Sequence, residues 1–241
     1  MHQASVAEHV CLINPGDVFC FLCHKDIDCF TRCCRELELA LTPYDVLRLR
    51  RATGLTSSQL HERYIIEELG PEATFPTFFL TMVDDGEASC VFVSAQGCSI
   101  YQHRPGACRT YPLGRGATRT ADGIDEQFVL LREPHCRGFR EKTVQTAHSF
   151  MQSQELQMYN HFNDMLTAIT QHRKIRQGYR LTEAQIELYR LALYDLDTFR
   201  ARLKDGQIDA PIVADRMVFT DDEKLLEFGM KLITELIFES P

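Results

Sequence analysis

No stretch of the chain approaches the roughly 20 consecutive apolar residues that a membrane-spanning helix needs, so no membrane-embedded role is expected. Runs of Lys and Arg are also missing, and the net charge is -8. Nucleic-acid phosphates require a basic face, which disfavours nucleic acid as a partner. Tracts rich in Gly/Ser, Gln/Asn or Pro are absent, so the chain is expected to fold nearly throughout. Met1 to Ser5 carries no basic segment leading into an apolar run, which points to a cytoplasmic protein. No Gly-rich turn following an expected strand offers to cradle a nucleotide-like cofactor.

Cysteine is missing from the C-terminal region, yet the chain holds ten: Cys11, Cys20, Cys23, Cys29, Cys33, Cys34, Cys90, Cys98, Cys108 and Cys136. At 241 residues the chain is long enough to bury a core without disulfides. In a reducing compartment, closely spaced thiols point to metal ligation more than to a disulfide framework. Their distribution divides the chain into 1–140, a cysteine-cluster metal-binding domain, and 141–241, a helical C-terminal region. The expected class is α+β: a small cysteine-rich domain of short helices and β-hairpins, followed by helices.

Local signals support that class. Thr42-Pro43-Tyr44-Asp45 reads as an N-cap, a proline at the first helical position and an acid in the first turn. A helix through Val46, Leu47 and Leu49 should close at Gly54. Thr56 to Gln59 reads as a capping box opening a second helix through Leu60, Tyr64, Ile65 and Leu69, stopped by Gly70-Pro71. Thr77–Val83 and Cys90–Val93 read as a hairpin around Asp84-Asp85-Gly86, with further strands at Cys98–Tyr101 and Gln127–Leu131. From about Thr143, apolar residues recur at helical spacing. One helix is expected over Phe150 to Ile169, another from Thr182 through Leu203, and a last one from Thr220 through Leu236.

Cys23, Cys29, Cys33 and Cys34 lie within a dozen residues and can close around one centre. Cys90, Cys98, Cys108 and Cys136 can complete that centre or build another. Zinc takes tetrahedral sulfur or nitrogen ligands and iron-sulfur clusters are held mostly by thiolates, so both chemistries accept the set. Adjacent cysteines rarely ligate one ion in a relaxed geometry, so Cys33 and Cys34 serve two neighbouring sites, or only one of them ligates. Arg104, Arg109, Arg115, Arg132 and Arg137 can offset thiolate charge. His24, His103 and His135 are of ligand type but read better as surface or supporting residues. Cys11 and Cys20 read as small core-filling hydrophobes.

The run from Cys23 to Arg35, followed by Leu41-Thr42-Pro43-Tyr44-Asp45-Val46-Leu47-Arg48-Leu49, resembles the opening of the YkgJ-like family of cysteine-cluster proteins. Cys98 to Pro105 and Cys108-Arg109-Thr110-Tyr111-Pro112 are similar to that family's second signature, and together the motifs cover roughly residues 19 to 140. The resemblance implies a zinc- or iron-chelating domain with eight characteristic cysteines, here Cys23, Cys29, Cys33, Cys34, Cys90, Cys98, Cys108 and Cys136. Many relatives have tighter spacing at the start, a form that Cys20-x2-Cys23 imitates, so Cys20 competes with Cys23 for the first ligand. A related cluster in bacterial flagellin lysine methylases is associated with an iron-sulfur centre, which brings in a [4Fe-4S] cofactor and a protein-modifying enzyme as the alternative. For that reading Glu62, Asp84, Asp85 and Tyr111 are candidates by sequence proximity alone. A third alternative is a helical protein that binds a partner and is stabilised by metal.

Overall fold

The computed structural model describes residues 9–239; Met1 to Ser5, read above for a leader, lie outside them. The strands run over Val10–Ile13 (β1), Phe19–Cys20 (β2), Ile65–Glu68 (β3), Thr77–Leu80 (β4), Met82–Val83 (β5), Ser89–Cys90 (β6), Val93–Ser94 (β7), Gly97–Cys98 (β8), Leu113–Thr120 (β9), Gly123–Leu131 (β10) and Val144–Gln145 (β11). The helices are Pro43–Thr53 (α1), Ser57–Tyr64 (α2), Gly106–Thr110 (α3), Ala147–Ser153 (α4), Gln157–Thr170 (α5), Arg173–Arg176 (α6), Glu183–Tyr194 (α7), Leu196–Lys204 (α8) and Asp222–Thr234 (α9). The fold is therefore mixed, with short antiparallel strand pairs and a helical C-terminal region. No helix among the described residues is long and apolar enough to cross a membrane.

The chain falls into two compact units, one made of Met1–Leu37 with Met82–Met158 and the other of Glu38–Thr81 with Tyr159–Pro241. In the first unit β10 pairs antiparallel with both β1 and β9, and β5·β6, β7·β8 and β2·β11 form separate short pairs. Its buried core is Phe19, Phe21, Leu113, Phe128, Leu130, Ala147 and Phe150. The three phenylalanines at 19, 21 and 150 meet at tilted and edge-on angles, the geometry that aromatic quadrupoles prefer.

The second unit begins with the expected cap. Thr42 accepts from the Asp45 N–H while Asp45 accepts from the Thr42 N–H, and Gly54 closes α1 at φ 67°. The capping box of Thr56 and Gln59 also forms. Its helix stops at Tyr64, however, five residues before the expected end. Ile65–Glu68 instead pairs with Thr77–Leu80 as a two-stranded sheet, which also takes β4 out of the hairpin expected at Asp84-Asp85-Gly86. The remaining tip, Met82–Val83 against Ser89–Cys90, is that hairpin. The single helix expected from Thr182 to Leu203 is two, divided at Asp195, whose carboxylate caps α8 through the Thr198 N–H.

A charged cluster sits among the helices of this unit. Arg50 lies 3.2 Å from Asp197 and 3.3 Å from Asp222, and Arg200 donates to Asp222. Burial pushes the Asp222 carboxyl up, but the Arg200 hydrogen bond and the charges of Arg50 and Arg51 outweigh it and hold the group below its ordinary value. A depressed acid contributes stability above its unfolded value of about 3.9, lost as pH falls through the folded one. Asp222→Asn should therefore cost about 1.5–3 kcal/mol at neutral pH. Thermal melts at neutral and acid pH check this: the variant should lose less on acidification than the wild type does.

Candidate metal centre

The segment bearing the first cysteines enters along the end of the domain that bears the last one. The Phe21 N–H donates to Thr143 O at 2.9 Å and the Leu22 N–H to Gly138 O at 3.1 Å. Cys23 thus begins its run beside Cys136. The Arg137 N–H donates to Cys29 Sγ at 3.1 Å, a backbone-to-sulfur contact that fixes Cys29 at the same place. The approach of the two strands of chain is close enough to need glycine: a Cβ at Gly138 would stand 2.4 Å from the Phe21 ring and 3.0 Å from Leu22 O. Gly138→Ala should cost about 1–3 kcal/mol by overpacking and weaken metal retention without touching a thiol. A thermal melt with a competing zinc chelator reads both.

Between Cys29 and Cys34 the chain turns through Thr31 at φ 63°, a left-handed conformation that a β-branched residue adopts only under constraint. The constraint is visible: Arg35 Nη1 donates to Thr31 O at 2.8 Å and to Thr31 Oγ1 at 3.2 Å. Arg32–Cys34 then forms one 3-10 turn. Arg35 bridges antiparallel to Ser89, and its Nε donates to Glu87 at 2.6 Å, which brings Cys34 alongside Cys90. Cys90 closes β6, and Cys98 closes the tight hairpin β7·β8, whose Gly97 has φ 108°, a value that favours glycine. Cys108 lies in α3.

The thiols so placed influence one another. Burial and the neighbouring charges of Cys33, Cys29 and Cys136 push Cys23 up to about 11, against an opposing effect of Arg104. The Cys34 S–H donates to Cys33, which favours the thiolate at Cys33 and holds Cys34 protonated, and Cys34 also neighbours Cys108 and Cys90. Burial raises Cys90, with Cys98 adding to it, and burial raises Cys98 against Arg104. Cys136 is raised by burial, opposed by a hydrogen bond with the Tyr111 hydroxyl. All eight except the exposed Cys23 are half-buried. Cys11 and Cys20, expected as core residues, are exposed. Among the described residues, no group of three or more His, Cys, Asp and Glu side chains is set to hold a metal ion as it stands. The thiols are nonetheless neighbours.

Of the arginines expected to balance thiolate charge, Arg104 does face the cysteines, with Cys23, Cys98 and Cys108 around it. Arg109 is turned into the structure, Arg115 pairs with Glu126, and Arg132 stacks 4.6 Å over Phe139. The sequence reading missed Arg35, whose charge reaches Cys33. It also missed Glu133, which accepts from the Tyr111 hydroxyl at 2.7 Å. Of the enzyme candidates, Tyr111 alone stands among the cysteines. Asp85 accepts from the Glu87 and Ser89 N–H groups of its own turn, and Glu62 lies on α2 in the other unit. His24 lies 3.6 Å from Glu141, and His135 Nε2 lies 3.7 Å from Glu133.

The family model CxxCxxCC, described as "Putative zinc- or iron-chelating domain", matches residues 22–137. That segment of the chain is similar to the CxxCxxCC family. The matched segment contains the eight cysteines from Cys23 to Cys136 and begins after Cys11 and Cys20. No curated protein and no solved structure gives a significant match. Sulfur donors in this number suit both metals of the CxxCxxCC description: zinc accepts four thiolates as a closed tetrahedron, and iron accepts them alone or as a cluster with sulfide.

Proposed function

We propose that the chain is a metal-binding protein whose CxxCxxCC domain holds zinc or iron through Cys23, Cys29, Cys33, Cys34, Cys90, Cys98, Cys108 and Cys136. The observation that carries this reading is that thiols from separate pieces of chain are neighbours, all but Cys23 half-buried, and lie within the influence of the cations Arg104 and Arg35. Core-filling cysteines have no need of charged neighbours, whereas thiolates gathered on a metal leave negative charge that a guanidinium offsets. Nearby arginine also favours the deprotonated ligand form.

An all-sulfur donor set supports an iron-sulfur cluster, including [4Fe-4S], as the finer form of the same reading. Oxygen-free purification of the full chain, followed by metal and acid-labile sulfide analysis, separates the two. Stoichiometric iron with sulfide and a visible chromophore means a cluster; colourless protein with zinc means a closed chelate. A chain that retains neither metal and takes up neither contradicts the proposal.

A further inference from the structure

We infer that the domain holds two neighbouring metal centres, one on Cys23, Cys29, Cys33 and Cys136 and the other on Cys34, Cys90, Cys98 and Cys108. The inference rests on the chelating role proposed above and adds the number of centres and the ligands of each.

The backbone makes the partition. The Leu22–Gly138 hydrogen bond and the Arg137 N–H bond to Cys29 Sγ seat Cys23 and Cys29 with Cys136, and Cys33 neighbours both Cys23 and Cys136. The bridge from Arg35 to Ser89 seats Cys34 with Cys90, and Cys34 also neighbours Cys108. Cys98 neighbours Cys90 across the β7·β8 hairpin region, and Arg104 stands by both Cys98 and Cys108. Cys33 and Cys34 join the two sets. They lie on one 3-10 turn with their thiols hydrogen-bonded to each other, so the two sets meet at this pair. Each set supplies four sulfurs, the complement of a tetrahedral zinc or iron site or of one cluster.

Arg35 acts on Cys33 of the first set, and Arg104, whose guanidinium donates to Tyr101 O and Gln154 Oε1, acts on Cys23 of the first set and on Cys98 and Cys108 of the second. A shared guanidinium at this boundary lowers the cost of holding two negatively charged thiolate centres side by side.

The test uses the full chain, reduced, free of oxygen and reconstituted with zinc(II) alone. Two equivalents of zinc should bind per chain. Alkylation of the cysteines along the titration, read residue by residue by mass spectrometry, should show Cys23, Cys29, Cys33 and Cys136 protected together. Cys34, Cys90, Cys98 and Cys108 should be protected together at a different zinc level. Cys90→Ser with Cys98→Ser, and separately Cys29→Ser with Cys136→Ser, should each reduce uptake from two equivalents to one. Wild-type protection of all eight by one equivalent, or protection of sets that mix the two groups, overturns the two-centre inference and leaves chelation standing. Absence of any uptake overturns both. The wild-type protection pattern decides the matter even where a variant does not fold.

Discussion

Stripping metal from the full chain with a chelator should collapse hydrogen-exchange protection over residues 22–36 and 89–98 while leaving the sheet β1·β10·β9 protected. The reason lies in what else holds those segments. The strands bearing Cys90 and Cys98 are two residues long, as are their partners β5 and β7, and Cys29 to Cys34 has one 3-10 turn. Isolated strand pairs of this size are not stable in water. The sheet β1·β10·β9, by contrast, lies over the core of Phe19, Phe21, Leu113, Phe128 and Leu130. Zinc ligation contributes on the order of 10 kcal/mol in small structural sites, comparable with the roughly 5–15 kcal/mol that stabilises a whole domain. Unchanged exchange over both segments after complete metal removal would mean that the thiols are packed and held without metal.

Arg109→Met should lower the melting temperature by about 10 °C, on a loss of about 3–5 kcal/mol. The Arg109 guanidinium is 2 % exposed and donates to three backbone carbonyls: Arg104 O at 3.2 Å, Gln154 O at 2.7 Å and Gln102 O at 2.6 Å. Glu155 stands 3.5 Å away. Methionine fills much of the volume but leaves those carbonyls without their donors, and an unsatisfied buried acceptor carries its full desolvation cost. Lysine should not rescue the variant, because a point charge cannot reproduce a planar fork aimed at three acceptors. The effect should extend to metal retention, since Arg109 ties the turn carrying Arg104 to the end of α4 and adjoins Cys108. Differential scanning calorimetry with metal analysis checks both; a melting temperature within a degree of wild type would remove Arg109 from the framework of the site.

These two results depend on features that differ in how far the sequence reveals them. The α1 cap was legible because Thr42, Pro43 and Asp45 act within one turn, and so was the α2 cap formed by Thr56 and Gln59. The end of α2 was not. Ile65 and Leu69 keep helical spacing, and only the pairing of Ile66 with Phe79 decides for a strand. Leu113–Thr120 is not among the expected strands, since Gly114 and Gly116 weaken strand propensity, yet Gly114 is where Val129 of β10 lies too close for a side chain. Asp195 interrupts an apolar stripe that is continuous in the sequence, because its carboxylate serves as a cap.

At the site, residue type and spacing identified the cysteines as a candidate ligand set. Spacing placed Cys34 with Cys23, Cys29 and Cys33, and Cys136 with Cys90, Cys98 and Cys108. The chain crossings at Leu22–Gly138 and Arg35–Ser89 put Cys136 beside the first group and Cys34 beside the second. Tyr111 and Glu133 are 22 residues apart and meet only through the folded backbone. No local pattern carries that information.

X-ray absorption on the metal retained by the full chain tests the central claim most directly. The account predicts a first coordination shell of four sulfurs at about 2.3 Å for zinc, or sulfur with short iron-iron neighbours for a cluster. A first shell of oxygen and nitrogen at about 2.0–2.1 Å would contradict it.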